Sequence, residues 1–384
     1  MKKLHYLILC FCLLLFCQCN SKKEKEKISS SNSINVDFGD LSKTKSSIIS
    51  IEKFIRLETN AKCLIQQINQ IEIFNDKIYL MDDFCFYSFS LEGKFLGKID
   101  HSGVGPGEFM APYSFWIDNK GGLYILDLSL NKLLKYNLDN FTFIEDINMP
   151  YVVPQSFCVF PGKELFSFYY SLSSKRDINQ DYQIFIADKA GKIKAKMYQG
   201  NPSGKICHGT STNFYLQNNK MRVYPYFSNK IYTLSKDTIQ LCYSLSFGKY
   251  SFPDEKLFTK YDNSGDIMKE IWTGSKDWIR LMYVYETDDL LAVKYYIKKD
   301  FYVGFWDKRT KKSTNFKYND VEDDLGIGGK FPLPMGRYKN MLIGTILPFD
   351  MDMNMVRQPE MKKLMQGITE ESNPILVLYS VKLR

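Results

Sequence analysis

Polar tight turns followed by short apolar or alternating strands recur along this chain. Six such units are present: Asn75-Asp76-Lys77 before Ile78, Lys120-Gly121-Gly122 before Leu123, Gly162-Lys163-Glu164 before Leu165, Asn218-Asn219-Lys220 before Met221, Thr287-Asp288-Asp289 before Leu290, and Lys339-Asn340 before Met341. The steps between them are 45, 42, 56, 69 and 51 residues. Period-two alternation behind a turn predicts strands, and a unit of this size cannot bury both of its faces alone, so the units must stack. The longer steps need insertions, and two are visible. Pro253, Asp254 and Glu255 suit the first turn of a helix that carries Leu257, Phe258 and Tyr261 on one face until Asn263-Ser264-Gly265 breaks it. Pro359 and Glu360 open a second helix through Met361, Leu364 and Met365, with Gly367 as its C-terminal cap. Two alternating segments have no unit of their own, residues 51–57 and 375–383. Pairing them in one sheet would close a ring and remove an exposed edge.

The most regular stretch is residues 101–139. It holds the loop Gly103-Val104-Gly105-Pro106-Gly107-Glu108-Phe109, a strand ending at Asp118, a Gly-Gly turn, the strand 123–127 and a last strand near 134–138. This resembles one blade of an NHL-type β-propeller. The whole chain is similar to the six-bladed β-propeller lipoproteins common in Bacteroidota. The matching features are the early strand Phe54-Ile55-Arg56-Leu57-Glu58, the Gly105-Pro106-Gly107-Glu108-Phe109 loop, the helical excursion near Pro253 and the ending Asn373-Pro374-Ile375-Leu376-Val377-Leu378-Tyr379. The expected fold is all-β: a six-bladed β-propeller with short helical insertions over residues 48–384. The resemblance brings no established catalytic residues. In the loop itself, the glycines open backbone angles closed to other residues and Pro106 stiffens the turn. Phe109 is expected to plug between neighbouring blades, and Glu108 to accept bonds from loop amides.

The N-terminus belongs to no blade. Lys2 and Lys3 precede a mostly apolar run, residues 4–16, too short to span a bilayer and suited to a signal sequence. It ends in Phe16-Cys17-Gln18-Cys19-Asn20. A cysteine directly after such a run matches a lipoprotein processing site, which predicts a signal peptide over residues 1–18 and lipidation (palmitate or a similar acyl chain) at Cys19, with Cys17 as the alternative. Residues 19–47, rich in Lys, Ser and Asn, then read as the lipidated cysteine and a disordered tether with a reach on the order of 80 Å. The expected location is the cell envelope, as an outer-membrane lipoprotein facing either the periplasm or the outside. Of the nine cysteines, Cys10, Cys12, Cys17 and Cys19 lie in or beside the leader. Cys63, Cys85, Cys158, Cys207 and Cys242 are scattered singly and read as buried free thiols, with a Cys207–Cys242 bridge left open.

Charge removes one class of function. The formal +8 loses Lys2 and Lys3 with the leader and a net +2 over residues 22–27, leaving about +4 on the body. That is no nucleic-acid footprint. Past the leader only His101 and His208 remain, too few for the three-imidazole zinc site of a propeller lyase. Asp350-Met351-Asp352-Met353-Asn354 echoes half a calcium loop, but Met355 and Met361 stand where glycine and glutamate are needed. Gly326-Ile327-Gly328-Gly329-Lys330 lacks the spacing and the Ser or Thr of a phosphate loop. No metal and no cofactor are expected. Trp116 and Trp306 lie in strand patterns and read as core. Trp272 and Trp278, at the end of the first helical insertion, are the candidates for a ligand-binding face. The reading that follows is a non-catalytic binding or scaffold propeller held to the membrane by its lipid anchor. Its partners would be outer-membrane proteins and a saccharide or peptide in uptake. The alternatives are a hydrolase or lyase with a carboxylate or cation site in the central channel, and a structural subunit of an outer-membrane complex.

Overall fold

The computed structural model describes residues 33–383 apart from 84, 152–153, 171–181, 200–211 and 262. Two N-terminal strands, β1 (Ile34–Asp37) and β2 (Ile49–Arg56), precede the repeats. Blade one is β3 (Gln70–Phe74), β4 (Lys77–Met81), β5 (Phe86–Ser90) and β6 (Phe95–Ile99). Blade two is β7 (Pro112–Ile117), β8 (Gly122–Asp127), β9 (Lys132–Asn137) and β10 (Phe143–Ile147). Blade three is β11 (Ser156–Val159), β12 (Leu165–Tyr169), β13 (Tyr182–Asp188) and β14 (Ile193–Gln199). Blade four is β15 (Phe214–Gln217), β16 (Lys220–Val223), β17 (Lys230–Leu234) and β18 (Ile239–Ser246). Helices α1 (Glu255–Lys260) and α2 (Ser264–Thr273) follow. Blade five is β19 (Ile279–Glu286), β20 (Leu290–Ile297), β21 (Asp300–Asp307) and β22 (Ser313–Lys317). Blade six is β23 (Pro334–Tyr338), β24 (Met341–Ile346) and, after α3 (Pro359–Leu364), β25 (Ile375–Val381).

The fold is the six-bladed β-propeller that the turn pattern predicts. Each of the six turns joins the first and second strands of a blade. At Asn75-Asp76 and Asn218-Asn219 both residues hold positive φ, 49° and 56° in the first pair and 49° and 58° in the second. That is the geometry two-residue hairpins demand and that Asn and Asp tolerate. The ring closes as expected: β2 is the outermost strand of blade six, antiparallel to β25, with Ile49 opposite Val381 and Arg56 opposite Ile375.

Alternation along each strand serves two interfaces at once. In β8, Leu123 and Ile125 pack toward blade one with Met81, Phe86 and Phe115. Tyr124 and Leu126 pack toward blade three with Phe157, Phe166 and Phe185. All six residues of β8 are buried. The same division gives six apolar clusters, one between each pair of neighbouring blades. Such interfaces supply most of the favourable free energy of a stacked architecture.

Both insertions are helical. Asp254 caps α1 by accepting from the Leu257 amide at 3.1 Å, and Asn263 caps α2 by accepting from Asp266 at 2.9 Å. The first helix ends already at Lys260, and Asn263-Ser264-Gly265, expected to break it, instead opens a second one. The tether expected over residues 19–47 needs a correction at its C-terminal part. β1 adds a fifth strand to blade four, parallel to β18, with Ile34 beside Tyr243 and Asp37 beside Ser246. Val36 and Phe38 are each 1% exposed, and Phe38 stacks on Phe247 at 5.2 Å. Residues 19–32, with Cys19, lie outside the described residues.

Candidate functional site

The innermost strands β3, β7, β11, β15, β19 and β23 surround a cavity of about 660 Å³ on the axis of the ring. Its wall is aromatic: Phe115 and Trp116 from blade two, Tyr215 from blade four, and Tyr283, Tyr285 and Tyr296 from blade five are among its residues. Trp116, expected in the core, is partly buried: it packs against two of the interblade clusters and also lines this cavity, because β7 is an innermost strand. Trp306 is in the core at 3% exposure.

Four charged groups line the same cavity: Glu72 on β3, Lys294 on β20, Arg337 on β23 and Lys339 in the turn after β23. Arg337 reaches from blade six past blade five to donate to the carbonyl oxygen of Leu216 on blade four. Its side chain thereby crosses the channel near the end that holds the hairpin turns. Glu72 has no hydrogen-bond partner among the described residues. Burial pushes its carboxyl up to about 7, with Arg337 offsetting part of the rise. Lys294 is 8% exposed, and burial pushes its ammonium down to about 8. Its Nζ lies 4.7 Å from the centre of the Tyr283 ring.

Glu286, at the end of β19, is a contrasting case. Its carboxylate is 1% exposed and accepts from the Tyr215 and Tyr243 hydroxyls at 2.8 Å each and from Lys308 at 2.7 Å. Burial works to raise its pKa, but Lys308, Tyr243 and Arg222 together hold it below the usual carboxylate range. A carboxylate so fully engaged is a structural tie between blades four and five.

The residues singled out by sequence fall in other places. Trp272 on α2 is 46% exposed, and the Arg280 guanidinium covers one ring face at 3.6 Å. Arg280 also sits 5.3 Å from the Tyr296 ring, so Trp272 connects by one side chain to the channel wall. Trp278 corrects the expectation of a binding face. It is 5% exposed and packs with Leu257, Phe258, Ile267 and Ile271 in a small core beneath the two helices, with Lys276 against its ring at 3.6 Å. Helix faces need an apolar partner, and Trp278 is that partner.

The glycine loop lies between blades one and two. The Gly105 amide donates to Glu108 at 2.8 Å, and Gly107, at φ 71°, gives its carbonyl to the Tyr136 hydroxyl at 3.0 Å. Phe109 is 1% exposed and packs between Met81 and Phe86 of blade one and Phe115 and Tyr136 of blade two. Pro106 stands between the two glycines in the same turn. In the Gly326–Gly328 turn, the amides of Gly326, Ile327 and Gly328 all donate to Asp323 at 2.9–3.3 Å. The chain's own carboxylate thus occupies the place a phosphate would take. Among the described residues no three His, Cys, Asp or Glu side chains converge as a metal site. Cys63, Cys85, Cys158 and Cys242 are free thiols, while Cys207 and His208 lie outside the described residues.

The channel charges escaped the sequence reading, although a signal existed. Lys294 interrupts the apolar run Leu290-Leu291-Ala292-Val293 and Tyr295-Tyr296-Ile297, and Glu72 sits between Ile71 and Ile73.

Fold and site define a six-bladed propeller with an aromatic, charge-bearing central channel. The chain belongs to the family described as a domain of unknown function (DUF4934), whose sequence model matches residues 31–380. It is similar to a protein of Bacteroides fragilis NCTC 9343 described as exported, at 23% identity and a TM-score of 0.80, over 91% of this chain and 100% of that one. U3-55K (9% identity, TM-score 0.45, 85% of this chain and 98% of that one) and the WD40 repeats of RRP9 (10%, 0.44, 86% and 99%) are more remotely similar. No curated protein matches the sequence.

Proposed function

We propose that this protein is an envelope lipoprotein, anchored through Cys19, that binds a small ligand in its central channel without transforming it, in the service of saccharide or peptide uptake. One observation carries the binding reading: a cavity of about 660 Å³ whose wall combines aromatic rings with a few polar groups. Sites for small molecules have this volume and this mixture. The leader ending at Cys17 and Cys19, and the likeness to an exported protein, support the location. The test is isothermal titration of the full-length chain against a panel of oligosaccharides and short peptides. Saturable binding abolished by Trp116→Ala or Tyr283→Ala supports the channel. Binding that survives both substitutions places the ligand elsewhere.

A second reading, a channel hydrolase or lyase, draws on Glu72. A carboxyl pushed up to about 7 is in the range of a general acid at neutral pH. Sugar cleavage by paired carboxylates needs a second acid across the bond, and Glu72 is the one Asp or Glu among the described wall residues. Product analysis after incubation with the ligands that bind separates the two readings: Glu72-dependent cleavage would establish the enzyme.

A further inference from the structure

We infer that the channel takes a carboxylate-bearing sugar, a uronate-type saccharide, and that the Lys294 ammonium meets its carboxylate. This rests on the binding reading above and names the ligand class for that site.

The inference starts from a charge without a counter-charge. β20 is an otherwise apolar strand in which Leu291, Ala292, Val293 and Tyr295 are fully buried. Lys294 shares their burial at 8% exposure, yet it lines the cavity. No carboxylate and no hydrogen-bond acceptor pairs with it among the described residues. Glu72, the acid of the cavity wall, stands on blade one, where its charge is felt with that of Arg337. No charged neighbour offsets the effect of burial on Lys294. The buried carboxylate of Glu286 is, by contrast, paired with Lys308 at 2.7 Å. A buried, unpaired cation is costly, and an incoming anion relieves that cost. With its pKa near 8 the ammonium is still mostly charged at neutral pH.

The surroundings specify more than an anion. Tyr283 lies against the ammonium, Tyr296 lies 6.3 Å from Tyr283, and Phe301 lies 4.2 Å from Tyr296. Together they form a continuous aromatic wall beside the cation. The C–H face of a pyranose packs on such a wall while its hydroxyls reach the phenols, and its carboxylate reaches Lys294. The cavity suits one to about three sugar rings by volume. An extended peptide of more than a few residues exceeds it.

The experiment titrates the full-length chain, in detergent, with a disaccharide ending in glucuronate, its glucose-ended counterpart and an acidic dipeptide. The expected result is at least tenfold tighter binding of the uronate than of the neutral sugar. Lys294→Met should erase that preference, while Lys294→Arg should retain part of it. Thermal melts of both variants confirm folding. Equal affinity for the two sugars overturns the inference and leaves channel binding standing. Lys294-dependent binding of the dipeptide alone overturns the sugar class. Binding of none of the three overturns the inference, and the wider panel above then decides the channel reading separately.

Discussion

Glu72 offers a direct measure of how dry the channel wall is. The carboxyl has no hydrogen-bond partner among the described residues, and burial raises it from 4.5 to about 7 despite the nearby Arg337. In the unfolded chain the same group titrates at its ordinary value. Between the two values the folded protein keeps a proton that the unfolded chain has released, so stability falls as pH rises. The contribution of the neutral acid is fully present below the unfolded pKa and is lost as pH climbs through the folded one. The slope is at most about 1.4 kcal/mol per pH unit, which caps the loss at about 3 kcal/mol across the interval. The side chain is only half-buried, and water in the channel trims this to about 1–3 kcal/mol. Glu72→Gln keeps the shape and removes the titration. Urea unfolding of both proteins at about pH 4 and about pH 8 should show the variant gaining about 1–3 kcal/mol on wild type between the two conditions. Using the difference cancels every other titrating group. A difference that stays constant with pH, or that favours wild type at the higher pH, refutes the buried-acid account.

Three further outcomes are expected. Phe109→Ala empties the contact between blades one and two and should cost about 3–5 kcal/mol in chemical unfolding; a loss below about 1 kcal/mol would show that the loop can collapse into the gap. Asp323→Ala leaves the amides of Gly326, Ile327 and Gly328 without their acceptor and should cost about 1–3 kcal/mol, with faster amide exchange confined to that turn. Cys19→Ala should abolish metabolic labelling with radioactive palmitate, whereas label that persists until Cys17 is also replaced moves the anchor to Cys17.

What the sequence displays best is the hairpin between the first and second strands of each blade. There, positive φ at Asn75-Asp76 or Asn218-Asn219 forces a short list of residues, so the turn is written locally. What it hides is anything assembled around the axis. Glu72, Lys294 and Arg337 come from three blades and are separated by more than 250 residues of chain between first and last. Glu72 and Arg337 look like ordinary solvent-facing charges on half-buried strands until the ring closes, and Lys294 shows only as a break in an apolar run. Trp278 misleads for a related reason. The residues before it, Ser275, Lys276 and Asp277, are polar, and the core that buries it is supplied by α1 and α2. β1 is hidden because four residues with Val36 as their one buried member make a weak strand signal; the edge of β18, some 200 residues away, is what gives it a partner.

The direction of β1 settles how the start of the chain relates to the channel. β18 runs away from the third-to-fourth-strand turn of its blade, and β1 is parallel to it. In an up-and-down sheet that turn and the first-to-second-strand hairpins share one end of the propeller. Ile34 therefore enters the ring at the hairpin end, the same end where Arg337 donates to Leu216. From β1 the chain runs on toward blade six past blade five: the Asn315 carbonyl accepts from Ser42 at 2.7 Å, and the Asp324 carboxylate from Ser47 at 2.7 Å. These contacts fix the exit point to the body of the ring. The opposite end carries α1, α2, α3 and the glycine loop, and there Gln66, Gln67 and Phe349 rim the cavity. A lipid anchor on the segment before Ile34, as proposed, thus pulls on the end that Arg337 crosses, opposite the end rimmed by Gln66, Gln67 and Phe349.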